Sequence, residues 1–127
     1  MTLVKRSTKG SALTYTEMDD NLTHLEDLTK SFYKSVQNIT GPGAISLTAA
    51  VTLITTTGAD AYTLADGTEG QVKIISMLVD GGDAIVTPDN LVGYTSVTLN
   101  NVKDNFTLLY QSTGWVITAL QAATKNA

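Results

Sequence analysis

The chain has 127 residues, of which 43% are hydrophobic and 16% charged, and its formal net charge at pH 7 is -4. That length is enough for one modest domain, and the absence of cysteine excludes disulfides and thiolate sites for metals or nucleophilic catalysis. No apolar run approaches the roughly 20 residues that span a bilayer, and no N-terminal stretch is typical of a signal peptide. We therefore expect a soluble protein that is made in the cytoplasm and has no membrane partner.

The first residues are basic, in contrast to the rest of the chain. Lys5, Arg6 and Lys9 are three of its eight Lys and Arg residues, whereas all twelve Asp and Glu residues come later. An acidic body repels phosphate, so nucleic acid is not expected as a partner. Residues 1–13 are predicted to form an extended basic arm that attaches to an acidic protein surface through these three cations. The alternative is that the arm is simply a mobile terminus.

A helix is predicted to begin at Thr14. The run Thr14-Tyr-Thr-Glu17 fits a capping box, in which the threonine hydroxyl accepts a hydrogen bond from the N–H of Glu17 and the glutamate accepts one from the N–H of Thr14. The next break is Gly41-Pro42-Gly43, because proline cannot continue a helix. The amphipathic oligomerisation helix is therefore assigned to residues 14–40.

Apolar side chains recur along this helix at the spacing of a coiled-coil seam, alternating three and four residues apart if Thr29 is accepted as a polar occupant of one position. The bulk of one of them, Phe32, favours a trimer over a dimer. The alternative is that this stripe packs on the β part of its own chain. The candidate oligomerisation residues are Met18, Leu22, Leu25, Phe32 and Val36.

Residues 44–121 are predicted to form a β-domain, because runs rich in Val, Ile, Thr and aromatic residues alternate with turn signals. The run Val72–Val79 is apolar on both faces in its second half, which is typical of a central strand covered on two sides. The other runs alternate, so their threonines should face outwards. The predicted strands are 44–48, 50–56, 60–64, 71–79, 83–87, 95–99, 105–111 and 114–120, followed by a tail at 122–127.

These elements define the expected fold class. The chain should be mainly β with one N-terminal helix: an extended arm, an amphipathic helix that forms a trimeric coiled coil, and a small antiparallel β-sandwich or barrel.

Few residues could support catalysis. His24, the sole histidine, lies on the predicted helix surface with no serine or carboxylate to orient it, so we expect no enzymatic activity and no cofactor. Asp80, Asp83 and Asp89 surround a Gly-Gly turn and could in principle hold calcium. A plain hairpin turn explains the first two without an ion, so no metal site is assigned.

Aromatic residues provide one further alternative. Trp115, Tyr62, Tyr94 and Tyr110 could form a platform on which sugars stack, although aromatic side chains in strands more often belong to a core. A module that binds host surface glycans is therefore a second function to consider.

The start of the helix carries a resemblance. Lys9-Gly-Ser-Ala-Leu-Thr-Tyr-Thr-Glu17 followed by Met18-Asp-Asp-Asn21-Leu22 resembles the Lys-Gly-Ser-x-Leu-Thr-x-x-Glu-hydrophobic-Asp-x-Asn-Phe opening of tailed-bacteriophage fibre, whisker and head-appendage proteins. Leu22 stands where phenylalanine is usual. The β part, with Thr63-Leu-Ala-Asp-Gly-Thr-Glu-Gly-Gln71, looks like small trimeric modules of phage structural proteins.

The resemblance implies a homotrimer on the virion, attached through its N-terminal region to capsid or tail proteins. A chain of this length suits a capsid decoration or head-fibre protein, with a small tail-fibre or baseplate appendage as the alternative.

Overall fold

The structure is a computed structural model that describes residues 4–30 and 36–127, with the side chains of residues 27–30 excluded. The chain divides into two compact units, an N-terminal unit up to residue 34 and a β unit from residue 35 onwards. The prediction of a mainly β chain with a short N-terminal helix is confirmed.

Residues 4–30 of the N-terminal unit contain two helices, α1 (Arg6–Lys9) and α2 (Tyr15–Lys30). The prediction that α2 begins directly after Thr14 is confirmed. The prediction of an extended arm is wrong at its centre, because Arg6–Lys9 forms one helical turn. That turn ends at Gly10, whose φ of 76° is a left-handed conformation that glycine adopts without strain.

Residues 36–127 of the β unit contain ten strands. They are β1 (Val36–Thr40), β2 (Gly43–Ala44), β3 (Val51–Thr55), β4 (Asp60–Leu64), β5 (Val72–Val79), β6 (Ala84–Pro88), β7 (Ser96–Leu99), β8 (Asn105–Gln111), β9 (Gly114–Gln121) and β10 (Thr124–Asn126).

Residues 36–40, predicted as the end of the helix, form strand β1, so the placement of Val36 in a helical seam is wrong. Three of these five residues, Val36, Ile39 and Thr40, are β-branched, which favours a strand. Strand β1 pairs along its whole length with β3, a partner that only the folded chain supplies. The C-terminal tail is likewise not free, because β10 pairs with β7.

Two sheets of five strands each make up the β unit. The first sheet has the order β1-β3-β5-β8-β9 and the second β10-β7-β6-β4-β2. The first six strands alternate between the sheets, so each sheet receives every second strand, and those strands run parallel. The remaining pairs are antiparallel. The predicted antiparallel architecture is therefore wrong, because the connections between the first six strands cross from one sheet to the other instead of forming hairpins.

The loop Asp80-Gly-Gly-Asp83 shows why such a crossing is possible. Thr56 Oγ1 accepts a hydrogen bond from the N–H of Gly81 at 2.8 Å and donates one to the carbonyl of Gly82 at 2.7 Å. A Cβ on Gly81 would lie 2.2 Å from the carbonyl oxygen of Thr56. This loop therefore joins β5 to β6 across the sheets, and the predicted hairpin is wrong.

Both sheets contribute to one core. The predicted alternation is confirmed in β4, β7 and β8, whose inward side chains are buried while the intervening threonines are at least partly exposed. The fully buried large side chains of the core include Ile54, Tyr62, Leu64, Ile75, Met77, Val86, Val97, Leu99, Phe106, Leu108 and Trp115.

Strands β3 and β5 depart from the predicted pattern. In β3 the threonine Thr52 is buried, and the apolar side chains on either side of it face outwards. Strand β5 lies at the centre of its sheet as predicted, with Ile75 and Met77 buried. Its second half is not covered on both faces in the single chain, because Leu78 and Val79 are exposed.

Candidate self-association and attachment site

The start of α2 is fixed by the capping box that the sequence predicts. The N–H of Glu17 donates to Thr14 Oγ1 at 3.1 Å, and the N–H of Thr14 donates to Glu17 Oε2 at 2.8 Å. Lys9 Nζ donates to the same carboxylate oxygen at 2.6 Å. The Lys9 ammonium, followed by the N–H of Thr14, lowers the pKa of Glu17 below its ordinary value. One carboxylate thus caps α2 and ties α1 to it.

The side chain of Asn21 links α2 to the backbone that precedes α1. Its Oδ1 accepts a hydrogen bond from the N–H of Val4 at 2.8 Å, and its Nδ2 donates to the carbonyl of Val4 at 2.8 Å. This two-point contact holds the backbone before α1 against the second turn of α2. The segment that contains α1 is therefore hydrogen-bonded to α2 at two places, through Val4 to Asn21 and through Lys9 to Glu17.

This hydrogen-bonded segment, residues 4–21, overlaps the run from Lys9 to Leu22 that resembles the phage opening motif. Several of the quoted motif residues have a structural task inside it: the Lys9 and Glu17 side chains pair, Gly10 ends α1, Thr14 caps α2, and Asn21 binds the backbone of Val4. The motif therefore encodes a local fold.

The predicted seam residues on α2 lie on one face of the helix. Met18, Leu22 and Leu25 are spaced four and three residues apart, and their exposed fractions are 40%, 63% and 49%. We name these three residues the α2 stripe. Of the other two predicted seam residues, Val36 belongs to β1, and Phe32 lies outside the described residues.

The three predicted attachment cations fall in one short segment. Lys5 is the N-cap of α1, and Arg6 and Lys9 are its first and last residues. Lys9 is bound to Glu17, so its charge is partly neutralised within the unit. Lys5 and Arg6 are exposed. A depression in this segment is lined, among the described residues, by Val4, Lys5, Thr8 and Lys9.

The aromatic residues do not form a platform for sugars. Trp115 and Tyr62 are fully buried and Tyr110 nearly so, and the Trp115 Nε1–H donates to the carbonyl of Ala65 at 3.0 Å. Tyr110 meets Trp115 edge-on, with ring centroids 5.1 Å apart. Only Tyr94 of the four is exposed, and Lys125 Nζ lies 4.7 Å from the centre of its ring. Three of the four rings are therefore core residues.

The acidic residues around the Gly-Gly turn are part of the loop structure. Asp80 Oδ1 accepts a hydrogen bond from the N–H of Gly82 at 3.0 Å, which stabilises the turn without an ion. In the part of the chain that the structure describes, no group of three His, Asp or Glu side chains is placed to hold a metal ion. His24 is half-buried on α2.

Several buried polar groups were missed by the sequence analysis, and among the described residues Lys73 is the most completely buried charged one. Lys73, on β5, is fully buried, and its Nζ donates to the carbonyl of Ala49 at 2.6 Å and to Thr52 Oγ1 at 3.0 Å. The Thr52 hydroxyl donates in turn to Gln37 Oε1 at 2.9 Å, so the network spans three neighbouring strands. Burial lowers the pKa of Lys73 to about 8. The alternation along β5 could have indicated this burial, because Lys73 lies two and four residues before the inward-facing Ile75 and Met77.

No known protein-family profile matches this chain, and no curated protein is similar to it at a significant level. Within residues 4–30 and 36–127, no helix has the length and apolar character needed to cross a membrane. The geometry of the N-terminal unit is therefore the main guide to function.

Proposed function

We propose that the protein is a non-enzymatic structural component of a tailed-phage virion, a homotrimeric capsid decoration or head-fibre protein attached through its N-terminal region. The observation that carries this proposal is the α2 stripe, an exposed apolar face on a helix whose start is fixed by its own cap. Exposed apolar side chains at this spacing favour helix-to-helix association. A small tail-fibre or baseplate appendage protein is the alternative location for the same design.

Two finer features of the architecture belong to this proposal. The α2 stripes of three copies form a short coiled coil, and the two sheets of each β unit form a sandwich around their common core. The shared core cluster of both sheets supports the second feature. The seam spacing of Met18, Leu22 and Leu25 supports the first.

The α2 stripe alone supplies a modest association energy. A large apolar side chain contributes roughly 1.5–3 kcal/mol when it passes from full exposure to full burial. The three stripe residues are about half exposed in the single chain, so each gains about half of that on association. A helix of 16 residues is also short for an independent coiled coil. Further contacts between copies are therefore expected.

Attachment is assigned to the exposed cations at the start of α1 in the same unit. Lys5 lines the depression together with Val4, Thr8 and Lys9. Lys5 and Arg6 are exposed cations and suit an acidic protein surface. Because such contacts are exposed, the attachment should weaken as salt concentration rises.

The oligomer is tested by measuring the mass of the full chain in solution. We expect light scattering at micromolar concentration to give three chains, and Leu22→Asp with Leu25→Asp to reduce that mass, since charges in the seam would be buried without partners. Thr23→Asp is the matched control, because this exposed residue lies on another face of α2, and it should leave the mass unchanged. A wild-type mass of one chain would contradict the proposal.

The location is tested on purified phage particles with an antibody against the β unit. Label on the head supports a decoration or head-fibre protein, and label on the tail supports the appendage. Particles that carry no label while the infected cells contain the protein would refute a virion role.

A further inference from the structure

The side of the first sheet that faces away from the core is unusually apolar. The register places Val36, Val51 and Ile74 in one row across β1, β3 and β5, and Val72, Leu109 and Val116 in another across β5, β8 and β9. All of these side chains are half-buried or exposed. We name this surface the outer face of the first sheet. Its large apolar residues are Val36, Val51, Leu53, Val72, Ile74, Leu109 and Val116.

This outer face carries no charge. Lys73 is the only charged residue in β1, β3, β5, β8 and β9, and it points into the core. The polar residues among the outward positions, such as Asn38, Ser76 and Thr107, are neutral. The centre of a protein interface is depleted of charged side chains, so the lack of charge is compatible with a contact, although the outward residues of the second sheet named below are uncharged too.

The second sheet provides a comparison within the same molecule. Its outward residues include Ala61, Thr63, Ile85, Thr87 and Thr98, of which only Ile85 is large and apolar. Small and hydroxyl side chains of this kind suit contact with water. The apolar character of the first sheet's outer face is therefore specific to that sheet and is not a general property of the strands.

The size of the outer face limits what it can do alone. Five strands about 4.8 Å apart, with about five residues each at about 3.3 Å per residue, cover roughly 400 Å² in projection. This is in the range of the largest apolar patches on soluble monomers, which are often functional. Two such faces fall short of the roughly 1,200–2,000 Å² that a stable interface buries. The face therefore fits a contact between partners that are already held together.

We propose that the outer face of the first sheet is a second contact surface between copies of this chain, closing on the corresponding face of neighbouring copies in the oligomer. This inference rests on the proposed self-association through α2. An uncharged face is complementary to itself, because no like charges oppose one another when two copies meet. The chain's net charge of -4 would otherwise make copies repel.

Because each β unit is covalently joined to an α2 helix, a small contact between the β units of associated copies is sufficient to add stability. Only residues 31–35 separate the described end of α2 at Lys30 from the start of β1 at Val36. Association of α2 helices would thus hold the β units of neighbouring copies at a high effective concentration. Under that condition a face of about 400 Å² contributes to the stability of the oligomer although it could not form one alone.

The first test uses the absence of cysteine in the natural chain. Val72 on the outer face and Ile85 on the second sheet are matched, since both are apolar strand residues with exposed fractions of 37% and 41%. In the oligomer, maleimide should label Val72→Cys about tenfold more slowly than Ile85→Cys, because only the former is covered by another copy. Equal labelling rates in an oligomer of normal mass would overturn the inference.

The second test places a charge at the same two positions. Val72→Lys should raise the apparent dissociation constant of the oligomer roughly tenfold or more, while Ile85→Lys should leave it unchanged. Thermal unfolding of both variants verifies that the β unit still folds. Equal dissociation constants for the two variants would overturn the inference.

The two proposals fail in different ways. A wild-type chain that is monomeric in light scattering contradicts the proposed self-association and the inference together. An oligomer that dissociates on Leu22→Asp with Leu25→Asp, but in which the Val72 and Ile85 variants behave alike, contradicts the inference alone.

Discussion

At the scale of single residues, the most unusual group is the buried ammonium of Lys73. Its two acceptors, the carbonyl of Ala49 and the hydroxyl of Thr52, are neutral, so they offset only part of the cost of removing a charge from water. This cost is what lowers its pKa to about 8. The same residue links β5 to β3, and through Thr52 to Gln37 on β1.

The lowered pKa predicts a rise in stability with pH. Between pH 8 and about 9.5 the unfolded chain, with an ordinary lysine pKa of 10.5, binds more protons than the folded chain, so the free energy of unfolding should rise by about 1–2 kcal/mol. Lys73→Met should remove this rise. Urea unfolding followed by the fluorescence of Trp115 measures it.

The upper pH limit of that experiment is set by Tyr62, whose pKa is raised by burial above its ordinary value of 10.0. Near and above pH 10 the unfolded chain loses this phenolic proton first, so stability falls with pH there. The same rise below pH 9.5 in Lys73→Met as in the wild type would mean that Lys73 is not its source.

At the scale of elements, α2 is the part of the fold that local chemistry specifies most fully. The Thr14 hydroxyl and the Glu17 carboxylate satisfy each other's N–H groups, and Asn21 fixes the chain that precedes α1. Each contact lies within 17 positions in the sequence, so α2 could be predicted at its start. Its end could not, because β1 depends on pairing with a strand 15 residues further along.

The capping box predicts a graded effect of two substitutions. Thr14→Ala removes the acceptor for the Glu17 N–H and should destabilise the first turn of α2 by about 1 kcal/mol, which speeds amide exchange there several-fold. Glu17→Gln keeps an acceptor for the Thr14 N–H and loses only the exposed ion pair with Lys9, so its effect should be smaller. Hydrogen exchange measured by mass spectrometry distinguishes the two, with Thr23→Ala as the mid-helix control.

The lowered pKa of Glu17 sets the pH range in which that difference is seen. The charged carboxylate stabilises the folded unit above the ordinary pKa of glutamate, and this contribution is lost as the pH falls through the lowered value. Acid should therefore reduce the difference between the wild type and Glu17→Gln. A difference that persists fully in strong acid would contradict the assigned role.

At the scale of the whole molecule, the alternation of β1 to β6 between two sheets decides the topology. Each crossing needs a connection that passes close to another part of the same backbone. Among the described glycines, Gly81 in the Gly-Gly loop has the shortest distance from its Cβ position to another backbone atom, the carbonyl oxygen of Thr56. The result is two mixed sheets with one shared core.

That loop predicts a large effect of one added methyl group. Gly81→Ala would place its Cβ 2.2 Å from the carbonyl oxygen of Thr56, so the backbone must move, and we expect a loss of about 2 kcal/mol or more and a thermal midpoint lower by roughly 10 °C. Gly58→Ala is the control, because nothing lies within 4 Å of its Cβ position. Calorimetry of both variants checks this, and equal midpoints would show that the loop adapts without cost.

The sequence by itself determined the features that depend on residues close together in the chain. Period-two patterns located most of the strands within a residue or two, as at Asp60–Leu64 and Asn105–Gln111, and the cap located the start of α2. These features follow from local sterics and hydrogen bonds.

Only the tertiary structure decided how those elements combine. The parallel pairing of β1, β3 and β5, the burial of Thr52 and Lys73, and the strand at Val36 all require partners that are distant in the sequence. The apolar pattern of Val72–Val79 correctly placed this strand at the centre of its sheet, but its two faces are not both covered as predicted. One of them is covered by the chain's own core, while the other is open in the single chain, because the second sheet can cover only one side of the first.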